Sequence, residues 1–349
     1  MTRIPDDAWS PAALAWLRER DISGVVAFQV PMNVRFRSVT SRQGLLLQGP
    51  FGWGECAPFL EYEPGEAVQW WWSAVAQATE PGAPPVRKQI PVNVTIPVVS
   101  PEVAAARAAD SGAWTAKVKV GDPAVSPRED ALRVAAVARA LADRFGAQAR
   151  VRIDANGAWG KEEALRVIQE IDTAAEPVGG LEYVEQPCRS VEDLAYVRAR
   201  ADVPIAADES IRRAEDPLRV VEMEAADLAV VKVAPLGGVN AALELAADLP
   251  LPLVVSSALD TSIGLAAGVE LAAALPQLPF ACGLDTARLL SADVTPRSLR
   301  SKDGYLSVAE AASIQTGELL GNAQPVSPAV IDHWIARGEA LIAQAVQDD

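Results

Sequence analysis

From about residue 91 the chain alternates short β-branched runs with longer stretches of Ala, Leu, Arg and Glu. The first four runs are PVNVTIPV (91–98), TAKVKV (115–120), RVRIDA (150–155) and LEYVEQ (181–186). PIAADE (204–209), LAVVKV (228–233), PLVVSS (252–257) and PFACGL (279–284) follow. Their centres step by roughly 25–35 residues, about what a strand, a crossover helix and two loops consume. Eight strand-like runs with helical text between them predict an α/β fold, a (β/α)8-type barrel over residues 91–294. Propellers and helical solenoids also repeat, but not as strand–helix alternations of this length.

The first 90 residues follow another pattern. GVVAFQVPM and GLLLQGPFGWGE carry the glycine and proline turn signals of an antiparallel meander, and PGEAVQWWWSAVAQA then reads as helix. The proline-rich EPGAPPVRKQIP (80–91) joins the two regions. After residue 295 the text turns polar and closes on a helical segment, SPAVIDHWIARGEALIAQAVQ. The expected organisation is an α+β capping domain from residues 1–90, joined by the segment 295–349, beside the barrel. The tryptophans of QWWWSA (69–74) are expected in packing.

Composition narrows the function. Half of the residues are hydrophobic and 22% are charged, which is globular rather than disordered. The net charge of −15 comes with no basic stripe, so no nucleic-acid partner is expected. The longest apolar run, 263–280, is broken by Gly264, Gly268, Glu270 and Pro276, and reads as a buried helix with its loop rather than a membrane span. A polar, acidic N-terminus and three scattered cysteines, Cys56, Cys188 and Cys282, suggest a cytoplasmic protein with free thiols. The single histidine, His333, excludes a histidine-based triad or a multi-histidine metal site, and it is expected on a helix surface without a catalytic role.

Three acids end three consecutive predicted strands: Asp154, Glu185 and Asp208. In a barrel those ends converge on one mouth, where carboxylates repel unless a cation neutralises them. All-oxygen ligation suits a hard divalent ion, Mg²⁺ first and Mn²⁺ as the alternative, and the lack of nearby His or Cys argues against zinc. Lysine is scarce, yet Lys117 and Lys119 fall on one face of the second strand, and Lys232 follows the sixth, across the barrel. Burial or a neighbouring cation lowers a lysine pKa and frees an amine to act as base. This set of groups suits abstraction of a proton next to a carboxylate, with the metal and a second lysine stabilising the enediolate.

The motifs KVK, DANGAW, VEQP, ADES and KVAPLGG, in this order and spacing, resemble the enolase superfamily and its muconate-lactonising subgroup over nearly the whole chain. FRSVTSRQGLLLQGPFGWGECAPFLEY, SSALDTSIG and GLDT look closer still to the o-succinylbenzoate synthase family of menaquinone biosynthesis. The resemblance implies a Mg²⁺-dependent carbon–oxygen lyase acting on a small-molecule carboxylate. Asp154, Glu185 and Asp208 would hold the metal. Lys119 would be the base and then the acid, Lys232 the stabilising cation, and Lys117 a binding or tuning charge. Arg152, on the same face as Asp154, would support Lys119 or the substrate. Asn156, Gln186 and Glu209 would support the ligands from behind.

Other stretches are weighed with this set. FGWGECAP (51–58) is a capping-domain turn near the barrel mouth or a plain turn, and lacks the Lys-Ser/Thr of a phosphate loop. Backbone N–H groups of SSALDTSIG could hold a substrate carboxylate, or Ser256 and Ser257 could cap the following helix. Gly283 would allow close substrate approach. Dipeptide epimerases of the subgroup tend to carry a DxD pair where this chain has Asp285 and Ala287. The competing functions are an N-succinylamino-acid racemase on the same fold, a Schiff-base aldolase using Lys232, and a non-catalytic binding protein. The aldolase leaves the three acids unexplained, and a binding protein would be expected to have lost one of these charged groups.

Overall fold

The computed structural model describes residues 1–36, 39–212, 217–321 and 325–348. Arg37 and Ser38, part of the N-terminal stretch that carries the resemblance, lie outside them. The first unit is an antiparallel sheet in the order β1 (Thr2–Ile4), β2 (Gly24–Phe36), β3 (Val39–Gly49) and β4 (Gly52–Cys56). Helices α1 (Pro11–Glu19) and α2 (Pro64–Thr79) pack with it. Gly54 permits the contact between sheet and α2, because a Cβ there would lie 1.8 Å from the Ala74 carbonyl oxygen. Trp16, Trp70 and Trp71 fill this core, with Trp16 and Trp71 ring centroids 5.9 Å apart.

A short strand β5 (Gln89–Pro91) leads into the barrel. Its strands are β6 (Asn93–Ile96), β7 (Thr115–Lys119), β8 (Arg150–Asp154), β9 (Leu181–Glu185), β10 (Ile205–Ala207), β11 (Leu228–Val231) and β12 (Leu253–Val255). Among the described residues these are parallel neighbours in chain order. The eighth predicted run forms no continuous strand. It closes the barrel through two parallel bridges, Cys282 to Val92 and Gly283 to Ser256. Gly283 has a structural reason to be glycine, since a Cβ there would meet Ser256 Oγ at 2.4 Å. Gly283 and Ser256 both line the cavity described below.

The crossovers are α3 (Pro101–Asp110), α4 (Pro127–Phe145), α5 (Lys161–Ala174), α6 (Val191–Arg198), α7 (Glu209–Arg212), α8 (Arg219–Glu222), α9 (Val239–Asp248) and α10 (Ser262–Ala274). Serine followed by proline opens α1, α3 and α4, the proline at the first helical position. Ser126 and Glu129 complete a capping box on α4. After the barrel, β13 (Tyr305–Ser307) pairs with β5, and α11 (Val308–Gln315) packs on α10. The last helix, α12 (Pro328–Asp348), crosses back to α1 and α2 and buries Trp334 among the cap aromatics, while His333 stays exposed beside it. No helix among the described residues is long and apolar enough to cross a membrane. Cys56, Cys188 and Cys282 are buried free thiols.

Candidate active site

Strand register sets the site. Lys119 lies opposite Asp154, Asp154 opposite Glu185, and Glu185 opposite Ala206, two residues before Asp208. The parallel ladder therefore carries the acids to adjacent strand ends. All three are essentially buried, as are Lys117, Lys119 and Lys232.

Each lysine is paired. Lys117 Nζ donates to both Glu185 carboxylate oxygens at 2.9 and 3.0 Å and lies 3.5 Å from Asp154. Lys119 donates to Asp154 and, at 2.9 Å, to Asn156 Oδ1. Lys232 donates to Asp208. Burial draws the Lys117 pKa down, but Glu185 and Asp154 outweigh it and hold the group well above an ordinary lysine. These partners favour the ammonium form of Lys117. Glu185 is pushed up to about 7 by burial and by the charges of Asp154 and Asp208, against the pull of Lys117 and Lys232.

Asn156 and Gln186 support the strand ends in left-handed backbone conformations, φ 50° and 41°. The Asn156 backbone N–H donates to Asp154 at 3.0 Å, and its amide reaches Glu209 at 3.4 Å. Gln186 Oε1 accepts from the backbone N–H groups of Asp208 and Ser210, while its Nε2 donates to the Cys188 carbonyl and Ser210 Oγ.

Arg152 departs from expectation. It shares the inward face of Asp154 but stands two residues deeper, about 7 Å along a strand. There its guanidinium donates to Glu182, the Tyr183 hydroxyl and the Ala281 carbonyl, and stacks 4.5 Å from the Tyr183 ring centroid. It is not among the residues that line the cavity described below.

A cavity opens over the strand ends. Lys117, Lys119, Asp154 and Lys232 form its charged side. Phe59, Ala258 and Leu259 form an apolar side, and Thr95, Ser256, Ser257 and Thr286 add hydroxyls. Lys119 ends β7 and Lys232 follows β11, four positions apart in the order of strands, so they face each other across this space. Sequence reasoning missed Thr95, Phe59, Leu259 and Thr286. For Thr95 a signal existed: it is a polar position two residues after Asn93, on the same face of the run PVNVTIPV.

The SSALDTSIG expectation also needs correction. The N–H groups of Ser256, Ser257 and Ala258 are taken by Val231, Gly283 and Asp260. Those of Thr261 and Gly264 are taken by Glu55, and that of Ser262 by Asp293. Thr261, rather than Ser256 or Ser257, caps α10. These backbone donors are spent within the fold, and the loop also offers the cavity hydroxyls; Ser257 Oγ lies 2.7 Å from Thr286 Oγ1.

Among the described residues no group of three acids, histidines or cysteines is drawn around one point, because each carboxylate turns to its lysine. The donor chemistry nevertheless fits a hard divalent cation. Three carboxylates occupy adjacent strand ends, and Glu185 is pushed up first by burial and then by the charges of Asp154 and Asp208.

Residues 101–312 match the family described as Enolase C-terminal domain-like, and residues 27–78 the family Enolase N-terminal domain-like. The chain belongs to the enolase superfamily. Its relatives there include the o-succinylbenzoate synthase of Thermobifida fusca, 56% identical over 283 residues, covering 81% of this chain and 86% of that protein. The o-succinylbenzoate synthase of Mycolicibacterium smegmatis is 50% identical, covering 80% and 84%. Among solved structures, the dipeptide epimerase of Enterococcus faecalis complexed with Mg and L-Leu-L-Tyr superposes with a TM-score of 0.67 at 22% identity, covering 83% of this chain and 97% of that one. That likeness carries the fold, a barrel with a cap.

Proposed function

We propose that the chain catalyses the syn dehydration of 2-succinyl-6-hydroxy-2,4-cyclohexadiene-1-carboxylate to o-succinylbenzoate, a hydro-lyase step of menaquinone biosynthesis, in the cytoplasm. The observation that carries the reading is one cavity with Lys119 and Lys232 on facing walls above three strand-end carboxylates. The likeness to o-succinylbenzoate synthases over four fifths of the chain supports the choice of reaction.

Lys119, held by Asn156, accepts as a neutral amine the proton α to the ring carboxylate. The C–H electron pair moves into the enediolate. As that charge returns, the C–O bond at the ring hydroxyl breaks, and the Lys119 ammonium gives its proton to the departing hydroxide. One water leaves and the ring becomes aromatic. Lys232 needs only to be a cation facing the developing charge. Lys117, bridging both oxygens of Glu185, remains protonated and fixes that carboxylate. Gln186 Oε1 holds the backbone N–H of Asp208, and the backbone N–H of Asn156 holds the Asp154 carboxylate. Asp154, Glu185 and Asp208 would hold Mg²⁺ or Mn²⁺, which supplies Lewis-acid stabilisation of charge on the substrate carboxylate. The apolar side at Phe59 and Leu259 suits a ring, and the hydroxyls suit polar groups of the substrate.

A second reading keeps the site and changes the outcome. Facing lysines also suit 1,1-proton transfer, as in an N-succinylamino-acid racemase. A dipeptide substrate is disfavoured, because Asp285 is consumed by Ser301 and Arg288 and the next alternate position is Ala287. The test is an assay of the purified chain on the hydroxycyclohexadiene, with Mg²⁺ and with EDTA, beside N-succinylamino acids. Metal-dependent loss of the diene is expected. Racemisation without dehydration would replace the proposal with the second reading.

A further inference from the structure

The cap meets the barrel at a buried charged seam. Arg42, on β3, is 3% exposed and reaches both units. Its Nε donates to the Leu259 carbonyl at 3.0 Å, its Nη2 donates to the Ala57 carbonyl, and its guanidinium lies 4.6 Å from the Phe59 ring centroid. Ala57 and Phe59 belong to the cap loop after β4, and Leu259 to the barrel loop between β12 and α10. Phe59 and Leu259 are both on the cavity wall. Leu259 has φ 64°, a left-handed conformation that a leucine seldom adopts unless its surroundings hold it. From the other side of the loop, Glu55 on β4 accepts from Thr261 and Gly264. Asp260 and Glu55 oppose the Arg42 charge within the seam.

We propose that Arg42 is a positioning residue that joins the cap loop at Ala57–Phe59 to the barrel loop at Leu259, and so sets the apolar wall that packs against the substrate ring. The inference rests on the dehydration reading for the identity of that ring. A planar guanidinium can stack on Phe59 while donating to two carbonyls in diverging directions; an ammonium cannot do all three. The wall supplies no proton, charge or hydrogen bond to the reaction, so its displacement weakens ground-state and transition-state binding alike.

The test is a double-mutant cycle of Arg42→Met and Phe59→Ala in the full chain. It is read as KM and kcat for the hydroxycyclohexadiene and as Kd for o-succinylbenzoate, with folding checked by circular dichroism. Arg42→Met is expected to raise KM and product Kd about tenfold with kcat within about threefold of wild type, the pattern of lost uniform binding. The double variant should be no more than about twofold worse than the more impaired single variant, because one wall is lost twice. A folded Arg42→Met with wild-type KM and Kd, or effects that multiply, overturns the proposal even if thermal stability falls. If Arg42→Met does not fold, Arg42→Lys decides: raised KM supports the proposal, and unchanged KM or a second unfolded variant overturns it. A wild-type chain that neither dehydrates the diene nor binds o-succinylbenzoate refutes the function instead; the cycle is then read on N-succinylamino-acid racemisation.

Discussion

Glu185 and Glu55 are both buried carboxyls, and both are pushed up to about 7 by burial and a neighbouring carboxylate. Glu185 sits at a strand end, where its compensation comes from the side-chain ammonium of Lys117 beside a cavity. Glu55 sits at the cap seam, where backbone N–H groups and the Thr261 hydroxyl hold it in place. Similar electrostatic stress thus serves two ends. Carboxylates balanced by side-chain ammonium groups can exchange partners for a cation or a substrate, whereas one satisfied by the backbone is part of the scaffold. A raised pKa alone does not separate a site from a joint; the identity of the compensating group does.

The sharpest way to break this contrast is at the lysine assigned to chemistry. Lys119→Ala should lower kcat by about 10²–10⁴ or more, with little change in melting temperature. Lys119→Arg should not restore it, because arginine stays protonated. Near-normal turnover in either variant, measured by loss of diene absorbance, would remove Lys119 from the reaction. Asp208→Asn comes next. It keeps size and removes one charge from the cluster, so turnover should fall about 10²–10³-fold, the scale of losing one preorganised electrostatic group. Mg²⁺ titration should show weakened binding in a folded protein, and wild-type behaviour, including activity in EDTA, would contradict the metal assignment.

At the seam the expected effect is on stability. The folded Glu55 carboxyl binds its proton more tightly than in the unfolded chain, whose value is near 4.5. Folding then takes up a proton between pH 4.5 and about 7, and stability falls as pH rises through that window. Glu55→Gln should remove about 1–3 kcal/mol of this pH dependence, read as the difference between denaturation profiles of the two proteins. Parallel profiles would show that Glu55 does not titrate there. The smallest effect belongs to His333→Gln, an exposed change expected to stay within about 0.5 kcal/mol and to leave kcat alone.

The strand ends were legible in the sequence because their chemistry is local. Asp154, Glu185 and Asp208 each close a β-branched run, and period-two spacing puts Lys117 and Lys119 on one face. Parallel strands then bring such residues together whatever the details of the loops. The seam was not legible. Arg42 and Leu259 are 217 positions apart, and Glu55 and Thr261 are 206 apart; no periodicity links them. For Arg152, alternation gave the face of the strand but not its partners Glu182, Tyr183 and Ala281, which come from β9 and the eighth run. The eighth run was read as a strand from its apolar text, yet it contributes only Cys282 and Gly283 to the closure.

The central claim is that, in one cavity with two facing lysines, both proton transfers of the dehydration are made by Lys119. The most direct measurement gives the wild-type chain, in D₂O with Mg²⁺, the hydroxycyclohexadiene and, separately, a single enantiomer of an N-succinylamino acid. The account predicts rapid formation of o-succinylbenzoate and slow or no α-deuteration of the amino acid. Rapid deuteration with both enantiomers appearing, and no conversion of the diene, would contradict it and identify the site as that of a racemase.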